Sequence, residues 1–159
     1  MKGNYHHFTL LEGTWIGEGQ GGYPTISSFA YREMLSFTRR DDLSIAYVQR
    51  TQKHVEGQTG HVISHWENGF IRVLESGELE LVNAQSGGRS EVLVGVIETS
   101  GDVIRIRFTS KTIMNDPRTV RSARIFELDG DTLRYEMEMQ TTKVDQMTQH
   151  LKIVLQRAK

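Results

Sequence analysis

Imidazole is the group most able to do chemistry in this chain, which has six histidines and no cysteine among its 159 residues. The lack of thiols excludes disulfides, thiolate metal sites, iron–sulfur clusters and cysteine nucleophiles. His61 and His65 lie four residues apart, which in a strand is one face, and Glu67 follows two residues on. Two histidines and a carboxylate could hold a metal ion. Without a further ligand in register, the plainer reading is a set of polar residues on a strand rim. His150 sits in a polar stretch and by itself reads as a solvated strand residue, although neutral imidazole is a good metal ligand. His6 and His7 precede the first strand and read as solvated. Met137 and Met139 are soft side chains that could touch a cofactor face or fill a core. The chain has no Gly-x-Ser-x-Gly elbow and no Gly-rich loop leading into a helix, so hydrolase and nucleotide-binding readings have no support.

The elements that must position these groups read with period two. Phe29, Tyr31, Leu35 and Phe37 alternate with Ala30, Arg32 and Ser36, and Leu43, Ile45 and Tyr47 with Ser44, Ala46 and Val48. Runs over 62–66 and 70–74 flank Asn68-Gly69, a two-residue hairpin signal. Leu79 and Leu81, then Val92, Val94 and Val96, continue the pattern. Ile104, Ile106 and Phe108 alternate with Arg105 and Arg107, which read as solvated exterior. Further runs cover 121–128, Leu133 to Met139, and Leu151, Ile153 and Leu155. Ser76-Gly77, Gly87-Gly88, Ser100-Gly101 and Asp129-Gly130 punctuate them. About ten short strands in this meander predict an all-β fold, a closed antiparallel up-and-down β-barrel. Phe8, Leu10 and Leu11 predict a short N-terminal helical segment that plugs one end. A barrel of this size can enclose a ligand cavity.

Composition sets the class. The chain is 37% hydrophobic and 25% charged with a net charge of −1, so nothing electrostatic points to nucleic acid or an anionic membrane. No apolar run approaches the ~20 residues of a membrane helix, and the first seven residues lack the apolar stretch of a signal peptide. The expectation is one soluble, cytoplasmic domain over 1–159.

Three groups of motifs carry more. The first is Gly13-Thr14-Trp15-Ile16-Gly17-Glu18-Gly19 with Tyr23-Pro24-Thr25-Ile26 and Phe29-x-Tyr31-x-Glu33. The second is His65-x-Glu67-x-Gly69-Phe70-Ile71-Arg72 with Asn83-Ala84-Gln85 and Glu91-Val92. The third is Asp129-Gly130-Asp131-x-Leu133-x-Tyr135 with Met147-Thr148-Gln149-His150-Leu151. In this order and spacing, over essentially the whole chain, the sequence resembles the nitrobindin family. The resemblance implies a ten-stranded antiparallel barrel of the lipocalin or fatty-acid-binding type, holding ferric haem b at its mouth, binding nitric oxide and isomerising peroxynitrite to nitrate. It implies His150 as the axial iron ligand, Thr25 beside the haem, His65 near its open face and Gln85 in the pocket wall. Met139 falls at a pocket position, in a stretch one residue longer than the family pattern. A family lysine near the haem has Arg118 as its counterpart here, with Lys111 as a rival for the cationic role.

The last strand poses a conflict. His150 shares a face with Thr148 and Lys152, whereas Leu151, Ile153 and Leu155 form the apolar face. Simple alternation puts His150 outside the barrel. A bulge, or a site at the rim, removes the conflict. Two other functions compete with peroxynitrite isomerisation: a non-enzymatic haem or nitric oxide binder or sensor, and a carrier of small apolar ligands such as fatty acids. Carriers of that type hold a carboxylate with an Arg-x-Tyr pair, while Arg134 and Tyr135 here are adjacent and face opposite ways. The expected partners are small molecules, with the chain a monomer or homodimer.

Overall fold

The computed structural model describes residues 5–54 and 57–159. Residues 1–4, part of the stretch read as lacking a leader, and the side chain of Phe8 lie outside that description. A short helix, α1 (Tyr5–Thr9), precedes ten strands. These are β1 (Gly13–Tyr23), β2 (Ile26–Arg39), β3 (Ser44–His54), β4 (His61–Val73) and β5 (Leu79–Gln85), then β6 (Ser90–Ser100), β7 (Val103–Met114), β8 (Thr119–Asp129), β9 (Thr132–Thr141) and β10 (Val144–Arg157). Each strand pairs antiparallel with its chain neighbours, and β10 closes on β1, so the sheet has no free edge.

Inner faces supply the core, with Leu35, Ile45, Ile71, Leu81, Phe108 and Leu155 all essentially inaccessible. Two readings of the strands need correction. Asn68-Gly69 is no turn: β4 runs straight through it. Gly69 is there because a Cβ would collide with the Val82 carbonyl oxygen and lie 2.6 Å from the Tyr47 ring. The valines of β6 take the outer face, and Glu91 and Leu93 point inward.

One end is plugged. Trp15 is fully buried, its Nε1 donates to the Leu11 carbonyl at 2.7 Å, and the Arg157 guanidinium lies 4.1 Å over its ring. Leu11 itself is buried just beyond α1. At the barrel seam, Gly17 and Gly19 let β1 approach β10, because a Cβ at Gly17 would strike the Val154 carbonyl oxygen.

The other end is shaped by bulges. Pairing slips by one residue at Ser64 in β4, at Lys111 in β7, at Val120 in β8 and at His150 in β10. Each extra residue breaks strict alternation and re-aims its neighbours. Replacing Gly17 by Ala is expected to lower the unfolding free energy by about 2–3 kcal/mol through overpacking at the seam. Gly87→Ala, where a Cβ meets nothing within 4 Å, is expected to stay within about 0.5 kcal/mol of the parent. Urea denaturation of both variants checks this, and equal stabilities would contradict the role of the seam glycine.

Candidate functional site

The bulge in β10 settles the conflict posed by alternation. Gln149 pairs with Glu138 and Leu151 with Met137, so His150 is the extra residue. Its ring turns inward beside Leu151 instead of out to solvent. Two cavities meet there: an inner one of about 190 Å³ and an outer one of about 450 Å³, both lined by His150 and Arg89. His150 Nδ1 lies 3.0 Å from the Gly22 carbonyl oxygen. A carbonyl can only accept, so Nδ1 carries the proton and Nε2 keeps its lone pair. Tyr23 and Phe29 meet the ring edge-on at 5.9 and 6.2 Å and fix its plane. Burial lowers the His150 pKa, and the cations Arg89 and Lys53 lower it further, against the raising effect of the Gly22 bond. The imidazole is therefore held neutral, the form that ligates a metal.

Beneath the inner cavity lies an ionic floor. Arg124, 2% exposed, bonds Glu67 at 2.5 and 3.1 Å and Glu91 at 2.7 Å. Glu67 also accepts from Tyr47 at 2.6 Å, and Glu91 from Ser122 at 2.7 Å and Gln85 at 3.0 Å. Burial alone would raise the Glu67 pKa, but Arg124 and the bond from His65 outweigh it and bring it to about 2. Glu67 is thus a carboxylate that can only accept, so His65 Nε2, 2.9 Å away, donates its proton to it. Glu33 is different: it is buried, and neither of its oxygens has a partner among the described residues. Burial pushes its carboxyl up to about 8, so it is neutral at pH 7.

The other residues singled out in the sequence divide between these regions. His65 lines the inner cavity. Thr25, Arg118 and Met139 line the outer one, with Tyr23 donating to the Met139 carbonyl at 2.9 Å and Arg118 largely exposed beside Asp116. Gln85 is buried behind the wall and reaches the cavity through Arg89, whose Nε donates to it at 3.0 Å. Lys111 is the bulged residue of β7 and is exposed. His61 does not share a face with His65, because the bulge at Ser64 intervenes. It is exposed in an outer groove, its ring 5.9 Å from that of His54. Among the described residues no group of three His, Asp or Glu is placed to hold a metal ion by itself. Sequence reasoning missed Arg124, Arg89 and Lys53. Period two places Arg124 on the face of Phe126 and Leu128, and a lone cation on an apolar face was the available signal.

The model of the THAP4-like, heme-binding beta-barrel domain matches residues 4–157. The chain belongs to that haem-binding barrel family. A relative named peroxynitrite isomerase 1, from Mycolicibacterium paratuberculosis, is 36% identical over 150 residues, covering 92% of this chain and 90% of the relative. A peroxynitrite isomerase from Arabidopsis thaliana is 36% identical over 147 residues, covering 92% and 84%. The crystal structure of Rv2717c from M. tuberculosis superposes with a TM-score of 0.86 at 30% identity, covering 99% of this chain and 98% of that one.

Within the haem-binding barrel, Glu33 carries a pH signature. It stays protonated up to about pH 8 when folded and ionises near 4.5 when unfolded. Unfolding therefore releases a proton in that window, and stability falls as pH rises through it. Glu33→Gln is expected to remove this slope, gaining on the order of a few kcal/mol over the parent at pH 8 and almost nothing at pH 4. Urea denaturation across that range tests it, and parallel profiles for parent and variant would contradict it.

Proposed function

We propose that the chain holds ferric haem b through His150 and isomerises peroxynitrite to nitrate, with nitric oxide as a second ligand. The observation that carries this reading is the inward, neutral His150, proton-locked at Nδ1 by Gly22 with Nε2 left for iron. The donor set fits the group: one imidazole lone pair at the junction of two cavities, flanked by aromatic edges, with Met139 and Thr25 on the outer side. When bound, ferric haem supplies the Lewis acid and one-electron partner for the rearrangement. His150 orients and anchors it. His65 has its Nε2 proton engaged by Glu67, which fixes the ring as a polar wall of the inner cavity. Arg89 and Arg118 add positive charge where an anionic substrate enters.

An apolar-ligand carrier fits less well. Glu33, Glu67, Glu91 and Arg124 are buried inside the barrel, where an apolar guest would strip them of polar surroundings without replacing them.

The test is stopped-flow decay of peroxynitrite with haem-loaded protein, free haem and His150→Ala. The loaded parent is expected to speed the decay and shift products toward nitrate, with less nitration of added phenol. His150→Ala is expected to keep its strand-dominated circular dichroism while losing at least about 100-fold in haem affinity. No acceleration over buffer by the parent contradicts the isomerase reading and leaves the binder or sensor. Unchanged haem binding in His150→Ala contradicts the ligand.

A further inference from the structure

The inner cavity has an excess of positive charge. Lys53, Arg89 and Arg124 line it against one lining carboxylate, Glu67. Two of these cations are already engaged. Arg124 is shared by Glu67 and Glu91. Arg89 lies 3.5 Å from Asp116 and 3.9 Å from Glu91 and donates to Gln85 and Thr119.

Lys53 differs. It is an inward-facing residue of β3, paired through its backbone with Tyr31 and Val62. Its Nζ sits 3.4 Å from the centroid of the Phe29 ring, and that same ring meets His150 edge-on. The ammonium thus stands one aromatic ring away from His150. Among the described residues no carboxylate pairs with it, and partial burial pulls its pKa below that of an ordinary lysine with no acid countering the effect. A ring face satisfies an ammonium on one side, which leaves donors directed at the cavity. A partly desolvated cation without a counterion favours an incoming anion.

We propose that Lys53 is the anion-receiving residue of the inner cavity, its ammonium taking up an oxyanion that arrives beside His150. The proposal rests on the haem reading above. Two sources share this chemistry, a carboxylate of the haem itself and a small free oxyanion such as peroxynitrite or nitrate.

Lys53→Met keeps the aliphatic stem against Phe29 and removes the charge, and Lys53→Gln does the same should the first variant fail to fold. Two quantities are measured on the haem-loaded proteins: the rate of haem transfer to apomyoglobin, and the affinity of ferric protein for azide, with imidazole as an uncharged control. Loss of one charge-assisted hydrogen bond is expected to change one of them about 10-fold, with Lys53→Arg restoring it. Faster haem loss at unchanged azide affinity identifies the haem carboxylate. Weaker azide binding at unchanged imidazole affinity identifies the small oxyanion. No change in either, or equal losses for azide and imidazole, overturns the proposal. If the parent takes up no haem, the functional reading fails separately, and nitrate titration of the haem-free protein by NMR decides Lys53. Shifts at Phe29, Lys53 and His150 in the parent but not in Lys53→Met support it, and their absence in the parent overturns it.

Discussion

One extra residue in β10 and one hydrogen bond, from His150 Nδ1 to the Gly22 carbonyl, determine what this barrel can do. The last strand continues as a regular apolar seam through Leu151, Ile153 and Leu155 against β1 and β9. That seam closes the barrel and cannot be shifted without turning its leucines to solvent. The bulge lets the strand keep this register and still present an imidazole to the interior. The Gly22 carbonyl then selects the tautomer, and the Tyr23 and Phe29 edges select the plane. A rotamer held from three sides is the preorganisation that a metal ligand needs.

The ionic floor around Arg124 makes the rest of the site possible. A guanidinium and two carboxylates removed from water are costly unless they satisfy one another, and removing one partner leaves an uncompensated charge. Here Arg124 joins β8 to β4 and β6. Through Glu67 it holds His65 and Tyr47, and through Glu91 it holds Gln85 and hence Arg89. Residues that line the mouth are thereby positioned from below by charges at the centre. The same polar centre disfavours a long apolar guest and keeps the inner cavity small.

Much of the fold was legible in the sequence. Period-two runs and Gly-containing turns place most strands. Asn68-Gly69 misled because a glycine demanded by close packing against Tyr47 looks the same in sequence as one demanded by a turn. Within the site, His150 became visible through the resemblance, since alternation alone pointed it outward. Bulges are invisible to a period-two reading, and several of them shape the mouth. The one at Ser64 explains why His61 and His65 do not share a face. Glu33, Glu67 and Arg124 share strand faces with buried apolar residues, so their parity was readable, whereas the valines of β6 pointed Glu91 outward. Their pairing was not, because it joins residues as far apart as Glu67 and Arg124 across the barrel.

The account turns on His150 as the iron ligand. Resonance Raman spectroscopy of the haem-loaded, reduced protein, grown with natural and ring-¹⁵N histidine, tests it most directly. The account predicts a low-frequency iron–imidazole line that shifts down with the label and survives His65→Ala. The lack of any label-sensitive line, or a line that disappears in His65→Ala, would contradict it.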